Sequence, residues 1–250
     1  YINHIDALGT TLSASSSVGT NGIVNVADTR VGKRWRVASP GGWGQADFGS
    51  DKPIDFVALV FPRDTTLATG TVRHTFDAAG GTAGSGATFD SGAVDIWLAN
   101  GYGYHIYRLP APISARYWRF EYALTSAYAD TGRAWAGPLW QPSCNINYGD
   151  SDVWDDLSTV TASRRSGAEF VDAKPRQRNF AFGFDALTPD DILTAREMQR
   201  LTGVSSQVIV VKDFAACSTC SILGRISKLN PILAAHPNLY SQSYQIRESL

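Results

Sequence analysis

The sequence predicts an all-β protein with a single helix, arranged as a jelly-roll β-sandwich over residues 1–137 and a smaller β-barrel-like unit with one packed helix over 138–250. Three observations carry this expectation. Several segments alternate apolar and polar residues with a period of two, the mark of half-buried strands. Two continuous apolar runs read as strands buried on both faces. Only one stretch combines helix-start, helix-stop and helical-period signals.

Along the chain, the first buried run is Phe56-Val57-Ala58-Leu59-Val60-Phe61. The segment Gly80-Gly81-Thr82-Ala83-Gly84-Ser85-Gly86 is a turn, because repeated glycines favour irregular backbone over strand. From Arg116 to Tyr122, Trp118, Phe120 and Tyr122 face one side while Arg119 and Glu121 face the other. The pattern breaks near 137–150, where Gly137-Pro138, Gln141-Pro142 and the acidic stretch Gly149-Asp150-Ser151-Asp152 set a boundary. Beyond it, Phe180, Phe182 and Phe184 alternate with Asn179, Ala181 and Gly183.

The helix spans about 189–202. Thr188 is its N-cap, Pro189 suits the first helical position, and Asp190 and Asp191 meet the positive end of the helix dipole. Ile192, Ala195, Met198 and Leu201 form its apolar stripe, and Gly203 ends it. Val208-Ile209-Val210-Val211 is the second run buried on both faces, and Tyr240, Tyr244 and Ile246 share one face near the C-terminus, against Ser241, Ser243 and Arg247.

Composition narrows the function classes. The 250 residues carry a net charge of −1, with 44% hydrophobic and 18% charged residues. That balance argues against nucleic acid as the main partner, since phosphate binding needs an excess of Lys and Arg on one face. No apolar run is long enough to span a bilayer, so no membrane insertion is expected, and no signal peptide is visible at the start. Three cysteines are too few for a disulfide framework, which points to folding in a reducing cytoplasm.

The first half resembles galactose-binding-like (discoidin-type) domains. The residues that carry the likeness run from Asn25 through Asp28 to Trp35 and Arg36, then Gly44-Gln45-Ala46-Asp47-Phe48-Gly49, Pro53-Ile54-Asp55-Phe56-Val57-Ala58-Leu59 and Ala115-Arg116-Tyr117-Trp118-Arg119-Phe120-Glu121. In that fold a loop containing an Asp leads to a Trp that plugs the core. With Gly137-Pro138-Leu139-Trp140-Gln141-Pro142-Ser143, Asn147-Tyr148-Gly149 and the segment from Gly224 to Ile246 added, the whole order is similar to distal tail or minor tail proteins of long-tailed bacteriophages. That resemblance implies a non-enzymatic structural subunit of the virion tail tip or baseplate, assembled in the bacterial host cytoplasm. It also implies a homo-oligomeric ring, a hexamer in that family, whose partners are the tail tube, hub and fibre proteins. The alternative is a carbohydrate-binding module that attaches to host-cell glycan.

Candidate sites follow from the residue types. The aromatic segment Trp97 to Tyr107 holds Trp97, Tyr102, Tyr104 and Tyr107 beside glycines; it reads as a hairpin turning at Asn100-Gly101, as a protein interface, or as a glycan site, because aromatic faces serve all three. Cys217-Ser218-Thr219-Cys220 reads as loop cysteines, or as half of a zinc or iron–sulfur site completed by Cys144; no cofactor is expected otherwise. Asp150, Asp152, Asp155 and Asp156 read as a solvated or capping loop, with calcium as the chemical alternative. Asp28 reads as a turn-stabilising residue, or as a cation ligand in the sandwich loop. The pair Asp90 and Asp95 has the residue types of a glycosidase, but the four histidines lie in unrelated contexts and no catalytic motif surrounds either set.

Overall fold

The computed structural model describes residues 1–63, 68–96 and 103–249. The strands are β1 (Thr11–Ala14), β2 (Trp35–Ala38), β3 (Gly41–Val60), β4 (Gly70–Asp77), β5 (Phe89–Asp95), β6 (Tyr104–Leu124), β7 (Tyr128–Thr131), β8 (Arg133–Gly137), β9 (Ser151–Asp155), β10 (Thr159–Ala162), β11 (Glu169–Asp172), β12 (Gln177–Leu187), β13 (Gln207–Val211), β14 (Ser221–Ile226), β15 (Leu233–His236) and β16 (Leu239–Glu248). The helix α1 (Pro189–Thr202) follows β12. The protein is thus mostly β with one α-helix, and its first unit is a sandwich. Among the described residues no helix is long and apolar enough to cross a membrane.

Two compact units emerge: Tyr1–Trp140 with Ile209–Ser221, and Gln141–Val208 with Ile222–Ser249. The sequence boundary near 137 lies close to the first of these divisions, but the return of 209–221 to the first unit has no signal in the sequence. That return has a local cause. The Cys217 thiol lies 3.9 Å from the Ile106 carbonyl, and the Arg108 guanidinium sits 5.2 Å over the Phe214 ring.

In the first unit the strand order is β1-β3-β6-β4-β5, with β8 also paired to β3 and β2 paired to β7. The long strands β3 and β6 pair antiparallel along most of their length, with register shifts between Asp47 and Lys52 and between Ile54 and Phe56. One contact shows what those shifts accomplish. His74 of β4 is in register with Phe120 of β6, yet its Nε2 lies 3.2 Å from Nε2 of His105 near the other end of β6. A straight strand would separate His105 from Phe120 by roughly 50 Å at about 3.3 Å per residue. The β3–β6 ribbon therefore folds over, and its far half, with β8, becomes the second layer of the sandwich.

Between the layers Trp35, Trp118, Phe76 and Phe120 are fully buried, with Trp35 edge-on to Phe120 at 5.7 Å and Trp118 at 4.9 Å from Phe120. Trp35 donates its indole N–H to the Ser16 carbonyl at 3.0 Å, so the core plug has no orphaned donor. All six residues from Phe56 to Phe61 are buried, as a strand covered on both faces requires. Gly41 shows how tightly β3 passes β6. Its φ is positive, a conformation that glycine adopts readily and other residues do not. A Cβ there would lie 1.9 Å from the Tyr122 carbonyl oxygen.

The second unit is built on β12 and β16, which pair antiparallel with Phe180 opposite Ile246 and Phe182 opposite Tyr244. Within this unit β14, β16, β12 and β9 lie side by side in that order, with β15 on β16 and β9 an end strand among the described residues. Helix α1 begins with a capping box: Thr188 Oγ1 accepts from the Asp191 N–H, and the Thr188 N–H donates to Asp191 Oδ2 at 3.1 Å. Ile192, Ala195 and Met198 are buried as the stripe requires, but Leu201 is 44% exposed and Thr202 takes the inner position. Val208 and Ile209 are buried while Val210 and Val211 are half-buried, so that run is covered less completely than its composition implied.

Candidate functional site

Alternation on β3, β4 and β6 sends Trp118, Phe120, Tyr122, Val72 and Phe76 inward and leaves the opposite face for polar residues. Register then brings three rows together across the outer face. Trp43 lies opposite Glu121, which lies opposite Arg73; Gln45 opposite Arg119, then Thr75 and Asp90; Asp47 opposite Tyr117, then Asp77. The rows draw on four strands that are distant in the chain, so only the fold assembles them.

Arg119 is the centre of the face. Its guanidinium lies 4.3 Å from the Trp43 ring centroid, within cation–π range. It donates through Nε and Nη2 to Gln45 Oε1 at 2.9 and 2.7 Å, and its Nη1 is 3.7 Å from Glu121. On one side Arg73 grips Asp90 with two parallel N–H donors, the stronger type of charged pair. Those donors hold the Asp90 carboxyl down at about 2. On the other side Arg116 grips Asp47 at 2.7 and 2.9 Å while its guanidinium lies 4.9 Å over Tyr117.

The glycine-rich loop walls this face. Asp77 is fully buried and accepts from the Gly84 N–H at 2.7 Å, the Ala87 N–H at 2.9 Å and the Ser85 hydroxyl. Burial pushes the Asp77 carboxyl up, but the Ser85 hydroxyl and the backbone N–H donors outweigh it and hold it below its ordinary range. The loop lies so close that a Cβ at Gly84 would meet Arg119 Cζ at 2.3 Å. The result is a half-buried aromatic–guanidinium stack, fixed by planar polar partners and bounded by a loop.

Of the described residues singled out from the sequence, Asp90 belongs to this face, and the aromatic, cysteine and acidic-cluster residues do not. Trp97, Tyr102 and the Asn100-Gly101 turn lie outside the described residues. Tyr104 is 3% exposed, so its ring has no face to offer a ligand. Tyr107 is half-buried between His74 at 5.5 Å and Phe89 at 6.2 Å, and burial followed by the nearby Asp90 charge raises its hydroxyl pKa. Tyr107 shares the core-facing side of β6 with His105, whereas Tyr104 sits on the opposite side of that strand, so the two tyrosines do not form one surface.

Among the described residues no group of three or more His, Cys, Asp or Glu side chains is placed to hold a metal ion. Cys217 and Cys220 belong to the first unit and Cys144 to the second. Burial pushes the Cys217 thiol up, away from the thiolate a metal needs. Asp28 is held far below the usual carboxylate range by Arg30 and then Lys33, whose cations fill the place a metal would take. In the acidic cluster Asp152 pairs with Arg178, Asp155 accepts from Asn179, and Asp156 pairs with Arg176.

No family model and no curated protein matches the chain. Solved structures give the following likenesses. The family 32 carbohydrate-binding module from C. perfringens NanJ, in complex with galactose, is 14% identical, with 51% of this chain and 92% of that one covered at a TM-score of 0.42. The lectin domain of lectinolysin, complexed with Lewis B antigen, is 15% identical over 56% of this chain and 98% of that one, at 0.43. The Ruminococcus gnavus GH29 fucosidase, in complex with fucose, is 12% identical at 0.48; the match covers 56% of this chain and only 27% of the fucosidase. At such similarity the functional reading of this chain rests on its own geometry.

Proposed function

We propose that the sandwich is a glycan-binding domain whose contact surface is the outer face around Trp43 and Arg119. The observation that carries this reading is the stack itself: an aromatic ring and a guanidinium in contact, with Gln45, Glu121, Arg73 and Asp90 fixed beside them. A pyranose presents an apolar C–H surface and a rim of hydroxyls that both donate and accept. A ring and planar amide, carboxylate and guanidinium groups match those two demands, and their mutual hydrogen bonds keep them oriented before the ligand arrives. The reading is of a binder and not a catalyst. Asp90 is clamped as a carboxylate by Arg73, which leaves it no proton to deliver near neutral pH.

The test is a glycan array followed by calorimetry on the full chain, with Trp43→Ala and Arg119→Ala. Each change is expected to weaken binding at least about tenfold, equivalent to about 1.4 kcal/mol, while the circular dichroism spectrum stays unchanged. Failure to retain any glycan at millimolar concentration, or binding indifferent to both substitutions, overturns the assignment.

The tail-tip role implied by the order of motifs ranks below glycan binding, since the Trp43–Arg119 face is a built contact surface within a single chain. The feature that bears on assembly is the exposed β10–β11 hairpin of the second unit.

A further inference from the structure

Among the described residues, the hairpin formed by β10 and β11 differs from every other paired segment in that all eight of its strand residues are exposed. Val160 pairs with Val171 and Thr161 with Phe170, and the three apolar side chains are 62%, 63% and 65% exposed for Val160, Val171 and Phe170. A two-stranded hairpin without a covering layer is marginal in water, and apolar residues bare on both of its faces mark a surface that another molecule covers. At its turn the Ser163 N–H donates to the Ala168 carbonyl at 2.8 Å, and Arg164 and Arg165 are exposed with no ion pair or side-chain hydrogen bond among the described residues.

The root of the same arm has the opposite character. β9 is an end strand of its sheet, paired on one side with β12, and it exposes Val153 and Trp154. Around it Asp150, Asp152, Asp155 and Asp156 set four carboxylates against the two cations Arg176 and Arg178, so the root is net negative where the tip is positive. An antiparallel hairpin carries its tip away from its root, so one molecule cannot bring the two together.

We propose that this hairpin is a docking arm for a second copy of the chain, the arginine tip and apolar faces of one arm settling on the acidic β9 edge of the next. Charge complementarity between tip and root selects a like copy, and the acidic β9 edge repels its own equivalent, which disfavours edge-to-edge pairing of identical strands. Because tip and root are different surfaces, each copy offers one of each, and the contact is heterologous and repeats.

Sedimentation velocity and light scattering on the full chain test this at rising concentration and at two salt concentrations. Wild type is expected to self-associate, and more weakly at high salt because the contact is between exposed charges. Arg164→Glu with Arg165→Glu is expected to weaken association at least about tenfold. Mixing that variant with one carrying Asp155→Lys and Asp156→Lys is expected to restore it, which a merely misfolded chain would not do. A wild-type chain that stays monomeric at high micromolar concentration and low salt, or association untouched by the arginine reversal, overturns the proposal.

Discussion

His74 Nε2 and His105 Nε2 face each other at 3.2 Å inside the sandwich, and the surrounding donors decide which one carries the shared proton. The Trp118 indole N–H donates to His74 Nδ1 at 3.4 Å, so His74 holds its own proton on Nε2 and donates it to an unprotonated Nε2 of His105. Both rings are neutral in this arrangement. A further proton would place two N–H donors head to head in a buried site.

A pH dependence follows. Burial, and for His74 the neighbouring His105, lowers both pKa values, His105 to about 4 from an ordinary 6.5. The folded state then binds fewer protons than the unfolded state across that window. Stability is complete above pH 6.5 and falls as the pH drops, the His105 part by about 1.4 kcal/mol per pH unit down to its lowered pKa of about 4, with His74 acting in the same direction. Urea midpoints measured at pH 7.5 and 5 should differ in that direction, and His105→Gln should flatten the slope.

Trp35 gives the largest expected core effect. It is fully buried against Phe120 and Tyr122, so Trp35→Ala removes a wedge that the neighbouring β-strands cannot collapse to fill. The expected loss is about 3–5 kcal/mol, with Trp35→Phe costing less. Denaturant unfolding followed by tryptophan fluorescence reads it.

Glycine substitutions separate space from backbone strain. Gly41→Ala forces a Cβ into the Tyr122 carbonyl and places an L side chain at a positive φ. Its expected cost is about 2 kcal/mol. Gly32→Ala meets nothing within 4 Å and has an ordinary φ. Its effect should stay within about 1 kcal/mol. Equal thermal shifts for the two would contradict the close passage of β3 and β6.

At the head of α1, Asp191 accepts from the Thr188 N–H and hydroxyl and from Ser143 N–H and hydroxyl. Asp191→Ala removes all of these and should cost about 1–2 kcal/mol. Faster hydrogen exchange at the amides from Ile192 to Met198 is the direct readout. Because those hydrogen bonds, against the push of burial, hold the carboxyl below its usual range, their contribution is present at neutral pH and fades as the pH falls through that lowered value.

What the chain's local patterns determined is the identity of its elements. Trp118, Phe120 and Tyr122 announce an inward strand face because side chains alternate every two residues. Thr188, Pro189 and Asp191 announce a helix start because unpaired N–H groups there need acceptors. The outward position of Arg119 and Glu121 was legible for the same reason as the inward face. Their partners were not. Trp43 and Gln45 reach Arg119 only through the register of β3 on β6, and His74 reaches His105 only because the β3–β6 ribbon folds over on itself. Tyr104, which the sequence offered as a binding residue, is buried, and its place in an alternating strand did not reveal that. The return of Cys217 to Ile106 is of this kind too. Periodicity is written between neighbours a few positions apart, whereas cross-strand and cross-layer contacts depend on register and on where a long strand bends, which the order of residues does not spell out.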